Sequence, residues 1–180
     1  MSYARFKTED QLLKSVLPYG AYPKVSAIGG KRINPDIDIL EVQKVSQNQF
    51  RLTGYEVKLM KFDTRSNGLS WSSFYSGIGQ AILYLKNGVQ RAVLVLGFHA
   101  NVPDDKLIDE FHDWLWDNKE LLKSILGSYI GVDLHLYERG AISPIIEGGV
   151  DFYPSDNKIR LLSDELLQGK FTFNKRLKSG

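Results

Sequence analysis

The sequence predicts an α/β domain in which a mixed sheet is flanked by helices, with elements in the order α-β-β-β-α-β-α-β. Three observations carry this expectation. Apolar residues recur at helical spacing near both 9–17 and 104–126; polar and apolar residues alternate between 37 and 60; and RAVLVLGF, residues 91–98, is the near-continuous apolar run of a strand covered on both faces. With 180 residues and 43% hydrophobic content, the chain can bury one substantial core and is short for two. Residues 1–180 therefore read as one domain, ending in a basic tail over 170–180.

Thr8-Glu9-Asp10-Gln11 has the spacing of a capping box, and Leu12, Leu13, Val16 and Leu17 follow on one helical face. A first helix is expected over 9–17, stopping before Pro18-Tyr19-Gly20. Strands are expected over 25–28, 37–45 and 50–60, the last two forming an antiparallel hairpin across Gln47-Asn48-Gln49. Residues 63–73 are rich in turn formers and read as a loop, which feeds a helix over 74–86 that Asn87-Gly88 ends. A buried strand over 91–98, one long amphipathic helix over 104–126 and a strand over 132–137 complete the pattern. Trp114 and Trp116 cannot share a face of that helix, so one is expected in the core.

Composition removes several function classes. The chain has no cysteine, which excludes disulfides, thiolate metal sites and a cysteine nucleophile. His99, His112 and His135 are separated, which disfavours a histidine metal site, and His99 and His112 read as structural, so any metal should be a hard cation on carboxylates. No segment has the roughly 18 apolar residues of a membrane helix, and the start MSYARFKTEDQ lacks a secretory core, so a cytoplasmic location without membrane contact is expected. Gly29-Gly30-Lys31 lacks the remaining spacing of a phosphate-binding loop. The net charge of +2 hides an uneven distribution. Residues 1–65 carry 11 Lys/Arg against 7 Asp/Glu, residues 104–123 carry 3 against 7, and the tail is wholly basic. Its two ends suit phosphate, although ordinary solvated surface shows similar patterns.

The chemistry concentrates in two neighbouring strands. In Asn34-Pro35-Asp36-Ile37-Asp38-Ile39-Leu40 the aspartates alternate with isoleucines, and in Tyr55-Glu56-Val57-Lys58-Leu59 the charged pair alternates with apolar residues. Period two puts Asp36 and Asp38 on one face and Glu56 and Lys58 on one face, so hairpin pairing would bring all four together. The same alternation also describes the wet face of a half-exposed sheet carrying a surface ion pair.

Pro35-Asp36, then Glu56-Val57-Lys58, then Gln80-Ala81-Ile82-Leu83-Tyr84 on the next helix resembles the PD-(D/E)XK nuclease superfamily, over about residues 9–98. The resemblance implies a restriction endonuclease-like core and a metal-dependent nuclease acting on DNA in repair, recombination or the processing of mobile or viral DNA. It implies Mg²⁺ or Mn²⁺ held by Asp36, Asp38 and Glu56, with Lys58 as the catalytic cation and Gln80 beside the metal or a phosphate. Position after proline favours Asp36 as the ligand, while alternation lets Asp38 replace or assist it. Glu9 matches a further acidic position of the family and equally suits the first turn of a helix. Tyr84 shares the face of Gln80 and equally suits the core. Glycines at 77 and 79 flanking Ile78 imply a close approach to the helix. Arg65, Asn67, Trp71 and Ser72 are expected to contact nucleic acid by phosphate contacts and stacking, or else form a solvated loop anchored by Trp71. A homodimer is compatible with duplex cutting. The competing expectations are a nucleic-acid-binding module of the same fold without cleavage, and an interaction protein that only imitates the motif.

Overall fold

Thr8 opens the first helix as its spacing predicts. Its Oγ1 accepts the Gln11 N–H at 3.2 Å, and Gln11 Oε1 accepts the Lys7 N–H at 2.8 Å, one residue earlier than in the usual reciprocal box. In the computed structural model, which describes residues 3–28, 31–47, 49–137, 142–152 and 171–172, this helix is α1, Glu9–Val16, and a short strand β1, Arg5–Phe6, precedes it. Strands β2 (Tyr22–Ile28), β3 (Lys31–Ser46) and β4 (Gln49–Met60) follow as an antiparallel meander. A small hairpin, β5 (Phe62–Asp63) with β6 (Gly68–Leu69), lies inside the segment expected to be a loop. Helix α2 (Ser72–Lys86) starts two residues earlier than expected and returns the chain to β7 (Arg91–His99), which runs parallel to β4.

The long helix expected over 104–126 is two helices, α3 (Asp105–Asp117) and α4 (Lys119–Leu126). Asn118 divides them: its backbone leaves helical geometry at φ −101° and its side-chain amide donates to the Trp114 carbonyl at 2.8 Å. Local bonding of this kind is why asparagine competes with helix continuation. Strands β8 (Ile130–His135), β9 (Ile142–Ile146) and β10 (Phe171–Thr172) complete the chain. The main sheet is ordered β10-β2-β3-β4-β7-β8-β9, with β1 added in parallel beside β7, so the protein is α/β with a mixed sheet between helices. The basic tail lies outside the described residues except for 171–172, as do Gly29 and Gly30.

Two apolar layers sandwich the sheet. On one side α1 buries Leu12, Leu13 and Val16 against Ile39, Val57, Leu59 and Val95. On the other, α2 and α3 cover Leu40, Leu52, Met60, Ala92, Leu94, Leu96 and Phe98. Each fully buried aliphatic side chain contributes roughly 1.5–3 kcal/mol. Neither tryptophan of α3 is core: Trp114 is 39% and Trp116 51% exposed, because Ile108, Phe111 and Leu115 already occupy the inward positions. Trp114 rests its edge on Trp71 with centroids 4.6 Å apart, and Lys119 Nζ sits 3.7 Å from the Trp116 ring centroid. Among the described residues, no helix is long and apolar enough to cross a membrane.

Candidate active site

Where β3 leaves β4, a side chain replaces the main chain as hydrogen-bond partner. The β3–β4 pairing runs from Ser46 opposite Gln49 down to Ile39 opposite Tyr55; beyond it, the Val57 N–H donates to Asp38 Oδ2 at 3.0 Å. Strict alternation is interrupted at the same point. Ile37 and Leu40 both join the cluster around Tyr84, whereas Ile39 joins the α1 side. The two aspartates, expected on one face with Asp36 favoured as the ligand and Asp38 able to replace or assist it, meet the described residues in different ways. Asp38 brings its carboxylate to the site, while Asp36 brings its main-chain carbonyl, which accepts from Tyr84 Oη at 3.0 Å. The Asp36 carboxylate makes no hydrogen bond or ion pair with the described residues.

Glu56 and Lys58 emerge together on the α2 side of β4, as period two requires. They are not a surface pair: the Glu56 side chain is 2% and the Lys58 side chain 16% exposed. Lys58 Nζ bonds Glu56 Oε1 at 2.6 Å, and Tyr84 Oη makes a short contact with Glu56 Oε2. The Asp38 N–H donates to the same hydroxyl at 3.2 Å. One hydroxyl carries one proton, so Tyr84 donates either to Glu56 or to the Asp36 carbonyl, and the choice follows the protonation of Glu56. Tyr84 is itself fully buried, so its core role and its site role coincide.

Helix α2 reaches the sheet closely because of glycine. A Cβ on Gly77 would collide with Leu94 Cδ1 and stand 3.2 Å from Lys58 Cγ, while one on Gly54 of β4 would stand 3.0 Å from the Tyr84 ring. Gly79 faces open space, so the close approach expected of both α2 glycines belongs to Gly77 alone. Gln80 is half-buried one turn before Tyr84 and bonds to no described residue.

Electrostatics follow from this packing. Burial pushes the Glu56 carboxyl up to about 7, the charge of Asp38 adds to the rise, and Lys58 and Tyr84 pull against it. Burial pulls the Lys58 ammonium down, but its bond to Glu56 and the charges of Glu56, Glu9 and Asp38 outweigh that and leave its pKa raised. Burial raises the Tyr84 phenol far above its ordinary range, with the Glu56 and Asp38 charges adding to the effect. Glu9 thus acts on Lys58 from the first turn of α1, whatever else it does there.

Two residues escape the sequence pattern. Lys24 of β2 forms an ion pair with Asp38 Oδ1 at 2.5 Å and stands 3.9 Å from Asp10 Oδ1. Neither Lys24 nor Asp10 lies in the Asp, Glu-x-Lys or Gln-x-x-x-Tyr motifs; only the β2–β3 register, with Pro23 opposite Ile39 and Val25 opposite Ile37, would have found Lys24.

The expected nucleic-acid loop is more built than loop-like. The Arg65 N–H donates to Asp63 Oδ1 at 3.0 Å, Asn67 adopts a left-handed φ of 50°, and Ser72 Oγ shares a hydrogen bond with Ser70 Oγ at 2.8 Å. Trp71 packs among Phe74, Tyr75, Phe111 and Trp114. His99 bonds locally to Asn101 at 2.8 Å, in keeping with a structural role.

As a cation site the donor chemistry fits a hard divalent ion: two carboxylates and a carbonyl, with burial and mutual repulsion already opposing the second negative charge. The set is small. Among the described residues, no three acidic or histidine side chains group closely enough to hold a metal by themselves, and Asp38 Oδ1 already carries Lys24. No protein-family model matches this chain, and comparison with curated proteins finds no match.

Proposed function

We propose that this protein is a metal-dependent nuclease that hydrolyses phosphodiester bonds in DNA, with a restriction endonuclease-like core and a PD-(D/E)XK-type centre formed by Asp38, Glu56 and Lys58. The observation that carries the reading is the burial of two carboxylates whose charges act on each other, one of them paired with a lysine, at the point where β3 and β4 part. A buried acid costs stability, and what supports a functional reading here is that Glu56 has a lysine on one oxygen, a tyrosine hydroxyl on the other and the charge of Asp38 acting on it. A bound Mg²⁺ or Mn²⁺ would polarise the phosphoryl group and lower the pKa of the attacking water. Asp38, Glu56 and the Asp36 carbonyl are the groups that would hold it. Lys58 neutralises charge developing on the phosphate and orients the nucleophile. Burial and the Asp38 charge oppose the Glu56 carboxylate, so a divalent cation at this point would relieve that cost. Gln80, half-buried one turn before Tyr84, would be the group to meet a phosphate oxygen.

The test is a panel of labelled duplex, branched and single-stranded DNAs with Mg²⁺, Mn²⁺ or chelator. Cleavage is expected only with a divalent ion, and cleavage undiminished in chelator would overturn the assignment. Asp38→Asn should abolish cleavage, while Asp36→Asn, which keeps the main-chain carbonyl, should retain a measurable rate. The reverse outcome would transfer the ligand role to Asp36. Metal and DNA binding without cleavage of any substrate would identify a binding module of the same fold.

A further inference from the structure

Lys24 occupies a position that chain geometry does not favour. It is a non-glycine residue at φ 50° within β2, and the β2–β3 register shifts between Val25 and Ala27. With Pro23 opposite Ile39 and Val25 opposite Ile37, Lys24 stands directly across from Asp38. Its ammonium lies 2.5 Å from Asp38 Oδ1, and its other acidic neighbour is Asp10 Oδ1 at 3.9 Å. The Lys24 and Asp10 side chains are 24% and 45% exposed, so this pair faces the mouth of the site, whereas Glu56 is held inside by Lys58 and Tyr84.

The Asp38 carboxylate is thus divided. Oδ2 accepts the Val57 N–H and bridges the parted strands. Oδ1, the oxygen left for a cation, is neutralised by a lysine of the same chain. An ammonium and a divalent ion both seek that oxygen, and both cannot sit within bonding distance of it without strong repulsion. Lys58 is paired with Glu56, so without Lys24 the Asp38 carboxylate would be buried near a second carboxylate with no cation of its own, and a resident cation at Asp38 lets the fold form before metal arrives.

We propose that Lys24 is a displaceable counter-ion of Asp38: it competes with the divalent cation for Oδ1, and metal binding moves its ammonium across to Asp10. This rests on the metal-site reading above and adds a regulator to it. Lys24 is a positioning and competing residue, and Asp10 is its acceptor in the metal-bound state. The mobile element is a flexible four-carbon stem, and the new partner is already close, so the exchange requires no movement of the strand.

The experiment is Mn²⁺ titration calorimetry on wild type, Lys24→Met, Asp10→Asn and the double variant, with circular dichroism to verify folding. Lys24→Met keeps the apolar stem and removes the charge, and should tighten Mn²⁺ binding about tenfold or more, corresponding to roughly 1.4 kcal/mol. Asp10→Asn should weaken binding several-fold in the wild-type background and change nothing in the Lys24→Met background. A merely long-range effect of the Asp10 charge would persist in both backgrounds. Lys24→Gly serves as the second variant, since glycine tolerates the left-handed backbone and so protects the fold. Unchanged or weaker Mn²⁺ binding in folded Lys24→Met and Lys24→Gly, with wild type binding normally, overturns the competition and leaves the nuclease reading intact. Binding by the variants but not by wild type supports it. No binding by any folded form overturns both.

Discussion

Glu56 and Asp133 lie on opposite sides of the same sheet, and burial pushes each carboxyl up to about 7, yet their surroundings differ in kind. Glu56 has a lysine on one oxygen and a tyrosine hydroxyl on the other, and the charge of a second carboxylate, Asp38, acts on it. Asp133 alternates with Val132 and Leu134, which enter the α3 side of the core, so it points to the α1 side. There the charge of Glu147 adds to the effect of burial, and among the described residues none donates a hydrogen bond to its side chain. Nearby on that side, His135 is fully buried and bonds Ser15 Oγ through Nε2 at 3.0 Å, while its Nδ1 has no hydrogen-bond partner among the described residues. The contrast teaches that desolvation alone makes a perturbed acid, while a candidate site also needs groups arranged to exchange its proton and charge.

The largest expected effect separates the two acids by function. Glu56→Gln and Lys58→Ala should each lower single-turnover cleavage by about 100-fold or more, the usual scale for loss of an acid–base or charge-stabilising group. Asp133→Asn should stay within a few-fold of wild type. An Asp133 variant as damaged as the Glu56 variant would erase the distinction.

Stability against pH treats the two acids alike. An acid with a folded-state pKa above its unfolded value holds its proton longer in the native state, so stability falls as pH rises from the unfolded value to about 7. For Glu56 that window opens near 4.5. Relative to wild type, Glu56→Gln should therefore gain on the order of 3 kcal/mol between the two ends of the window, read by urea denaturation across pH. Asp133→Asn should gain similarly over a window opening near 3.8. His135, whose pKa burial lowers, acts in the opposite sense below its unfolded value, so the comparison of variant with wild type is the informative quantity. A flat difference curve for Glu56→Gln would show that its carboxyl is not desolvated as its packing indicates.

The smallest effect probes how tightly α2 presses on the site. Gly79→Ala meets open space and should stabilise by up to about 1 kcal/mol through helix propensity. Gly77→Ala must displace Leu94 and crowd Lys58, so it should destabilise by about 1–3 kcal/mol in thermal or urea unfolding. Equal effects at both positions would mean that α2 does not lie against Lys58.

Local pattern alone located a large share of the protein. Capping at Thr8, two-residue alternation over Glu56 and Lys58 and the apolar run of β7 are short-range consequences of side-chain geometry, and each lies where its residues predicted. Asp36 and Asp38 could not be ranked that way, because the break in alternation at Ile37 arises where β3 separates from β4. Nor could alternation distinguish a wet face from a buried one, since both have period two; the approach of α2 over Gly77 and Gly54 decided it. Lys24 and Asp10 joined the site through strand register, and Asn118 split a helix whose apolar spacing continues unbroken. What the sequence determined by itself was which side chains share a face, since that depends on neighbours a few residues away. What only the tertiary structure decided was which faces are dry and which charges meet, because dielectric environment and ion pairing depend on segments distant along the chain.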